Sequence, residues 1–101
     1  MDRPKADSVL VLSGLDPSGA AGIAADIETI NQFGLTPLPI ITTLTVQNTQ
    51  RVDSLEVTKD SLLERQFNLI NKDISFNTVK IGLLGSSSQI IAISKLLKDR
   101  K

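Results

Sequence analysis

The residues with the clearest chemical potential lie in a glycine-rich loop near the start of the chain. Residues 14–22 contain three glycines and one proline, a composition that turns tightly and lets a ligand approach the backbone. The stretch Gly14-Leu-Asp-Pro-Ser-Gly19 has the two-glycine frame of a P-loop. However, Ala20 and Ala21 stand where a P-loop has the lysine and the Ser/Thr that contact phosphates and magnesium. A P-loop NTPase is therefore excluded.

The same loop fits a dinucleotide-binding fingerprint poorly. That fingerprint needs Gly-x-Gly-x-x-Gly, and only Gly19 and Gly22 have a usable spacing. What remains is a loop whose amides, together with the following helix N-terminus, could hold a polar or anionic group of a ligand. A glycine-rich turn that only joins a strand to a helix explains the loop equally well.

Two polar side chains near predicted strand ends are the other candidates for ligand binding. Asp26 lies one turn after Gly22 on a predicted helix, where a carboxylate also interacts favourably with the helix dipole. Gln47 follows a predicted buried strand. Each side chain has an ordinary structural explanation, but in open α/β sheets ligands bind beyond the carboxyl ends of the strands. Both residues are expected near that crevice.

Hydrophobic patterning predicts the elements that must position these residues. Buried strands are expected at residues 8–12, 37–45 and 78–84, with a weak extended segment at 52–57. The first helix should carry an apolar stripe of Ile23, Ile27, Ile30 and Phe33 and stop at Gly34. Two more helices should cover residues 60–72 and the region after Ser86. The order β-α-β-β-α-β-α predicts an α/β fold, a mainly parallel sheet with flanking helices.

Local signals refine the ends of these elements. Asp60 is placed as the N-cap of the second helix. Ser86, followed three residues later by Gln89, has the spacing of a capping box at the start of the third. Pro37 and Pro39 should be confined to the beginning of their strand, because proline cannot donate to a sheet ladder.

Composition limits the classes of partner. The 101 residues include 11 basic and 11 acidic side chains, so the chain has no excess of positive charge of the kind that binds nucleic acid or an anionic membrane. The chain has no histidine and no cysteine, the commonest sources of metal ligands and of a neutral-pH base. We expect a single domain over residues 1–101, a cytoplasmic location, a small-molecule partner and no metal ligands.

Three motifs make the sequence recognisable. The stretch Ser13-Gly-Leu-Asp-Pro-Ser-Gly-Ala-Ala-Gly-Ile-Ala-Ala-Asp26 resembles the opening motif of the hydroxymethylpyrimidine/phosphomethylpyrimidine kinases of thiamin biosynthesis, in the ribokinase-like superfamily. Ile41-Thr-Thr-Leu-Thr-Val-Gln-Asn-Thr49 and Val79-Lys-Ile-Gly-Leu-Leu84 resemble the second and third motifs of that family, in the same order.

The resemblance implies a role for five residues in substrate binding. Asp26 would bond the hydroxymethyl group, and Gln47 would contact a ring nitrogen and the amino group of the pyrimidine. Gly14 and Thr45 would supply backbone contacts, and Leu83 would lie against the ring, where the family usually has methionine. Ala20 replaces a frequent glycine of the loop. An amide offers both a donor and an acceptor to a heteroaromatic edge, and a carboxylate accepts from an alcohol.

The resemblance also implies what the chain lacks. In this family the anion hole, the catalytic base and most ATP contacts come from a C-terminal part of a longer chain. We therefore expect only the N-terminal, substrate-binding portion of a ribokinase-like fold, with no catalytic residue. ATP and Mg²⁺ would serve the complete enzyme, and this chain alone is expected to be inactive.

Two other functions remain open at this level. The chain could be a non-catalytic domain that senses pyrimidines or mediates interactions, or a fragment of a pyridoxal/pyridoxine kinase, since related kinases act on several hydroxymethyl heterocycles. A partial sheet would expose an edge strand and apolar helix faces. A second copy of the chain, or a complementing C-terminal chain, is therefore the expected protein partner.

Overall fold

A computed structural model describes residues 7–100, which form one four-stranded sheet with three helices. The strands are β1 (Ser8–Leu15), β2 (Thr36–Gln47), β3 (Val52–Val57) and β4 (Thr78–Ile81), and the helices are α1 (Gly22–Gln32), α2 (Asp60–Asp73) and α3 (Ser87–Lys98). The element order is the one predicted from the sequence.

The sheet is mainly parallel, as expected. Its strand order is β3-β2-β1-β4; β1 pairs in parallel with β2 and β4, and β2 pairs antiparallel with β3. β1 runs three residues beyond the predicted end at Leu12, because its pairing with β2 resumes at Gly14 and Leu15 after a register shift. The extension carries Gly14 to the carboxyl end of the sheet, beside β2.

Alternation along β1 divides the core between the two faces of the sheet. Leu10 and Leu12 pack in the cluster formed with α2 and α3, whereas Val9 and Val11 pack with Ile23 of α1. Successive side chains of a strand point to opposite faces, so a strand that is apolar throughout is buried on both. β1 is buried on both faces, as the sequence predicted, and it lies between β2 and β4 in the sheet.

The two prolines of β2 lie where the prediction put them. β3 pairs only with residues 43–47 of β2, so Pro37 and Pro39 have a strand neighbour, β1, on one side only. A proline is tolerated there because no second ladder requires its missing N–H.

The prediction of a long buried strand at 78–84 is wrong in length and in burial. β4 ends at Ile81 and is an edge strand whose side chains are mostly exposed. After the Gly82 amide donates to the Leu12 carbonyl oxygen at 2.8 Å, the chain turns, and the Leu83 carbonyl oxygen accepts from the Thr42 hydroxyl at 2.6 Å. These bonds draw residues 82–86 across the end of the sheet.

Two local predictions about the helices are also wrong. Phe33 does not join the apolar stripe of α1; it is the C-cap residue and is 78% exposed, because α1 ends at Gln32 and Gly34 takes a φ of +75°. Asp60 is the first residue of α2 rather than its N-cap, which is Lys59 in an extended conformation. The carboxylate of Asp60 therefore lies in the first turn, where it meets the helix dipole.

The predicted Ser86 cap of α3 is confirmed, but the Gln89 side chain bonds the N–H of Gly85 rather than that of Ser86, so the reciprocal half of a capping box is displaced by one residue. The Ser86 hydroxyl accepts from the Gln89 amide N–H at 3.2 Å. The buried Gln89 side chain accepts from the Gly85 N–H at 2.8 Å and donates to the carbonyl oxygens of Thr42 at 2.7 Å and Thr58 at 2.9 Å. One side chain thus ties α3 to β2 and to the segment before α2.

Within residues 7–100, none of the helices has the length and apolar character needed to cross a membrane.

Candidate functional site

A cleft of about 150 Å³ lies at the carboxyl ends of the parallel strands. Its walls come from the end of β1, the glycine loop, the end of β2 and the segment after β4. The lining residues are Gly14, Asp16, Ala21, Gly22, Thr45, Gln47 and Leu83. Sites for drug-sized ligands measure about 300–1,000 Å³, so this volume suits a small ring compound or one wall of a larger site.

Four of the five residues predicted to bind substrate line this cleft: Gly14, Thr45, Gln47 and Leu83. Three separate segments bring them together, because the carboxyl ends of adjacent parallel strands meet at one edge of a sheet. Leu83 is 48% exposed and offers an apolar surface to the cleft. A Cβ on Gly14 would be only 3.2 Å from Leu83 Cδ2, so glycine at this position lets Leu83 approach β1 closely.

A short hydrogen-bonded chain orients the polar wall of the cleft. The Thr45 hydroxyl donates to the Leu15 carbonyl oxygen at 2.8 Å, and the Gln47 amide nitrogen donates to the Thr45 hydroxyl oxygen at 2.6 Å. Gln47 is the last residue of β2, not a loop residue after it as the sequence suggested. Its side-chain carbonyl oxygen and second N–H are therefore available to a ligand while the first N–H fixes the amide plane.

The glycine loop closes back onto β1 at one position. Gly22 has a φ of +72°, and a Cβ there would overlap the Gly14 carbonyl oxygen. Gly22 also forms an isolated bridge with Leu15. Glycine is required here both for the left-handed backbone and for the close approach.

Asp16 belongs to the cleft but was missed from the sequence. Its buried carboxylate accepts from the Ser18 amide at 2.8 Å and from the Ser18 hydroxyl at 2.7 Å. These bonds, led by the Ser18 side chain and aided by the Ala21 amide, lower the pKa of Asp16 against the opposing effect of burial. Asp-Pro-Ser is a common turn sequence, in which the Asp side chain accepts a hydrogen bond from the backbone N–H two residues later. This pattern could have identified the role of Asp16 in the loop.

Asp26, the fifth predicted residue, is placed differently. It lies on α1 outside the lining of the cleft, and each carboxylate oxygen accepts from Lys80 Nζ at 2.8 Å. The Asp26 side chain is 17% exposed and the Lys80 side chain 46%. Lys80 was not predicted from the sequence, although a lysine within the otherwise apolar third motif was an available signal.

The described residues, 7–100, offer neither a metal-binding cluster nor the phosphate contacts of a P-loop. The described part of the chain has no group of three or more Asp, Glu, His or Cys side chains that could hold a metal ion. Ala20 and Ala21 occupy the phosphate-contacting positions of the glycine loop.

A larger cleft of about 330 Å³ lies between α2 and α3, lined in part by Glu64, Lys95 and Asp99. It is formed by helix surfaces and lies away from the strand ends. Position in the fold therefore favours the smaller cleft as the functional site.

Comparisons with known proteins agree with the motifs. The sequence profile of the phosphomethylpyrimidine kinase family matches residues 16–101. The hydroxymethylpyrimidine/phosphomethylpyrimidine kinase of Escherichia coli (strain K12) is 33% identical over 91 residues, which are 90% of this chain and 34% of that protein. The enzyme of the same name from Aquifex aeolicus is 35% identical over 92 residues, 91% of this chain and 36% of that protein.

Solved structures show the same fold. The crystal structure of phosphomethylpyrimidine kinase from Clostridium difficile 630 superposes with a TM-score of 0.87 at 34% identity, covering 92% of this chain and 40% of that one. A pyridoxal kinase from Bacillus subtilis has a TM-score of 0.85 at 22% identity, covering 94% and 38%. The latter likeness concerns the ribokinase-like fold alone.

The chain spans about a third of the length of these two sequence relatives. The family profile nevertheless covers most of this chain, and the three recognised motifs lie wholly or mostly within the matched residues. The chain therefore belongs to the phosphomethylpyrimidine kinase family.

Proposed function

We propose that this chain supplies the pyrimidine-binding wall of a hydroxymethylpyrimidine/phosphomethylpyrimidine kinase, the activity named for its relatives. The observation that carries the proposal is the Gln47 amide, held by Thr45 at the edge of a cleft that also contains Gly14 and Leu83. A pyrimidine ring needs an apolar surface and a paired donor and acceptor at its edge. The cleft offers both.

In this proposal each wall of the cleft has a separate task. Leu83 packs against the ring face, and Gln47 contacts a ring nitrogen and the exocyclic amino group. Because Gln47 is already hydrogen-bonded to Thr45, little side-chain entropy is lost on binding. A site built on buried hydrogen bonds also rejects rings that leave its polar groups unpaired.

Asp26 would accept a hydrogen bond from the hydroxymethyl group to be phosphorylated. It lies one helical turn beyond Gly22, which lines the cleft. Lys80 neutralises the carboxylate and fixes its position. In this arrangement Asp26 is a binding and orienting residue.

The phosphoryl donor is proposed to be ATP with Mg²⁺, held by polypeptide outside residues 7–100. Transfer requires charge neutralisation around the moving phosphoryl group, and the described residues offer no metal-binding cluster for it. We therefore propose that residues 1–101 correspond to the substrate-binding portion of the kinase and that this chain alone turns over no ATP.

Calorimetric titration tests this function. We expect hydroxymethylpyrimidine to bind the chain, and Gln47→Ala to weaken binding by about tenfold or more through loss of a paired contact. Gln50→Ala is the matched control, because Gln50 is an exposed glutamine three residues further on. Pyridoxine in place of the pyrimidine should bind more weakly.

Four outcomes would contradict the proposal. The first is absence of pyrimidine binding, and the second is equal loss in both glutamine variants; either would refute the assigned site. The third is tighter binding of pyridoxine, which would favour the pyridoxal kinase alternative. The fourth is ATP turnover by the isolated chain, which would contradict its assignment as a substrate-binding portion.

A further inference from the structure

Lys80 was not among the predicted site residues and does not line the cleft, but its ammonium group lies close to Gly82, the residue before Leu83. A Cβ on Gly82 would be 3.3 Å from Lys80 Nζ and would overlap the Ser13 hydroxyl. Gly82 directly precedes Leu83, whose side chain lines the cleft and packs against Gly14. The ammonium group therefore lies one residue away from a lining residue of the cleft and is bonded to Asp26.

The ion pair leaves the lysine with unused capacity. Lys80 Nζ donates to both oxygens of Asp26, each at 2.8 Å. An ammonium group has three N–H donors, so one remains. The Lys80 side chain is 46% exposed, which leaves the ammonium accessible to a ligand.

The names of the relatives pair two substrates that differ at one position, an alcohol and its phosphate ester. A carboxylate suits the alcohol, because it accepts the hydroxyl hydrogen. It repels a phosphate group, which carries about −1.5 to −2 charge at neutral pH. A site that takes both therefore needs a cation close to the carboxylate.

We infer that Asp26 and Lys80 form a divided subsite, in which Asp26 binds the hydroxyl of the alcohol substrate and Lys80 binds the phosphate of the phosphomonoester substrate. Lys80 keeps its bonds to Asp26 and gives its remaining N–H to a phosphate oxygen, so that it screens the two anions from each other. The inference rests on the proposed function and adds to it the residue that admits the second substrate. Lys80 is a specificity-determining residue.

The test measures the dissociation constants of hydroxymethylpyrimidine and phosphomethylpyrimidine for the chain and four variants. Lys80→Met should weaken the phosphomonoester by about tenfold or more, since a charge-assisted bond is lost. Because Lys80 also fixes the position of Asp26, the alcohol should weaken too, but by a smaller factor, so the ratio of the two constants changes. Asp26→Asn should move the ratio in the opposite direction, by weakening the alcohol and removing repulsion of the phosphate.

Controls separate this effect from general damage. Lys72→Met removes an exposed lysine from the last turn of α2 and should change neither constant. Lys80→Arg keeps the charge and should retain phosphomonoester binding. If Lys80→Met fails to fold, this variant still tests the proposal, because loss of phosphomonoester binding in it would contradict a role for the charge. Binding of the phosphomonoester should weaken with added salt more than binding of the alcohol.

The outcomes separate a failure of the proposed function from a failure of the divided subsite. If neither compound binds the unaltered chain, both the proposed function and the divided subsite are refuted. If the alcohol binds but Lys80→Met leaves the ratio of constants unchanged, the divided subsite alone is refuted.

Discussion

The amide nitrogen of Gln47 lies 2.6 Å from the hydroxyl oxygen of Thr45, which in turn donates to the Leu15 carbonyl oxygen at 2.8 Å. This chain of bonds connects the end of β2 to the end of β1. It fixes the amide plane of Gln47 before any ligand arrives. Affinity should therefore depend on a residue that orients the contact as well as on the residue that makes it.

Thr45→Val should weaken pyrimidine binding by roughly two- to tenfold, because the net value of one hydrogen bond is about 0.5–1.5 kcal/mol. The valine keeps the shape and the strand preference of threonine but cannot hold the Gln47 amide. Calorimetric titration measures the loss. Thr49→Val, at an exposed threonine beyond β2, is the control. Unaltered affinity in Thr45→Val would show that Gln47 needs no orientation.

Gly22→Ala should destabilise the fold more than Gly19→Ala. Both glycines have a positive φ, of +72° and +76°, which costs a non-glycine residue about 1–2 kcal/mol. Only at Gly22 would the added Cβ also overlap the Gly14 carbonyl oxygen, whereas Gly19 has open space around it. The extra cost should be about 1–3 kcal/mol, measured as the difference in the free energy of unfolding in urea. Equal costs would mean that the loop relaxes freely.

Acidification should destabilise the chain partly through Asp16. Hydrogen bonds from Ser18 lower the folded-state pKa of this carboxyl below its unfolded value of about 4. The stabilisation is therefore present above about pH 4 and is lost as the pH falls through the lower, folded-state pKa. Asp16→Asn should cost stability near neutral pH, and the cost should shrink on acidification.

The control for this prediction is Ser18→Ala, which removes the largest cause of the lowered pKa. Thermal unfolding followed between pH 7 and strongly acidic pH gives the comparison. The stability of the Ser18→Ala variant should depend less on pH than the stability of the unaltered chain does. A pH dependence identical in all three proteins would contradict the role of Asp16.

Gln89→Leu should lower the free energy of unfolding by about 2–4 kcal/mol, because buried groups lose their partners. The Gln89 side chain bonds the Gly85 N–H and the Thr42 and Thr58 carbonyl oxygens. Gln66→Leu makes the same change at an exposed position of α2 and should stay within about 0.5 kcal/mol of the unaltered chain. If both variants change the free energy of unfolding in urea by similarly small amounts, the hydrogen bonds of Gln89 do not stabilise the fold as proposed.

The order of elements was predictable because its signals are local. Each signal depends on residues that are near one another in the sequence. Examples are the apolar stretch of β1, the Ser86 cap with its Gln89 and the glycine after α1. Most of the candidate cleft followed as well, since strand ends in a parallel sheet fall at one edge.

What was missed depends on contacts between distant segments. β4 ends early where the Leu83 carbonyl oxygen turns to the Thr42 hydroxyl, a contact between residues 41 positions apart that no local pattern reveals. The Lys80–Asp26 pair joins residues 54 positions apart. Phe33 was misplaced because the helical period continues past Gln32 in the sequence, whereas the backbone turns at Gly34.

The central claim is that the cleft beside Gln47 binds a pyrimidine, and the most direct test is a titration of the isotope-labelled chain with hydroxymethylpyrimidine followed by amide chemical shifts. We predict shifts concentrated at residues 14–22, 45–47 and 82–84, which surround the cleft. Absence of shifts, or shifts confined to the groove between α2 and α3 near Glu64 and Lys95, would contradict it.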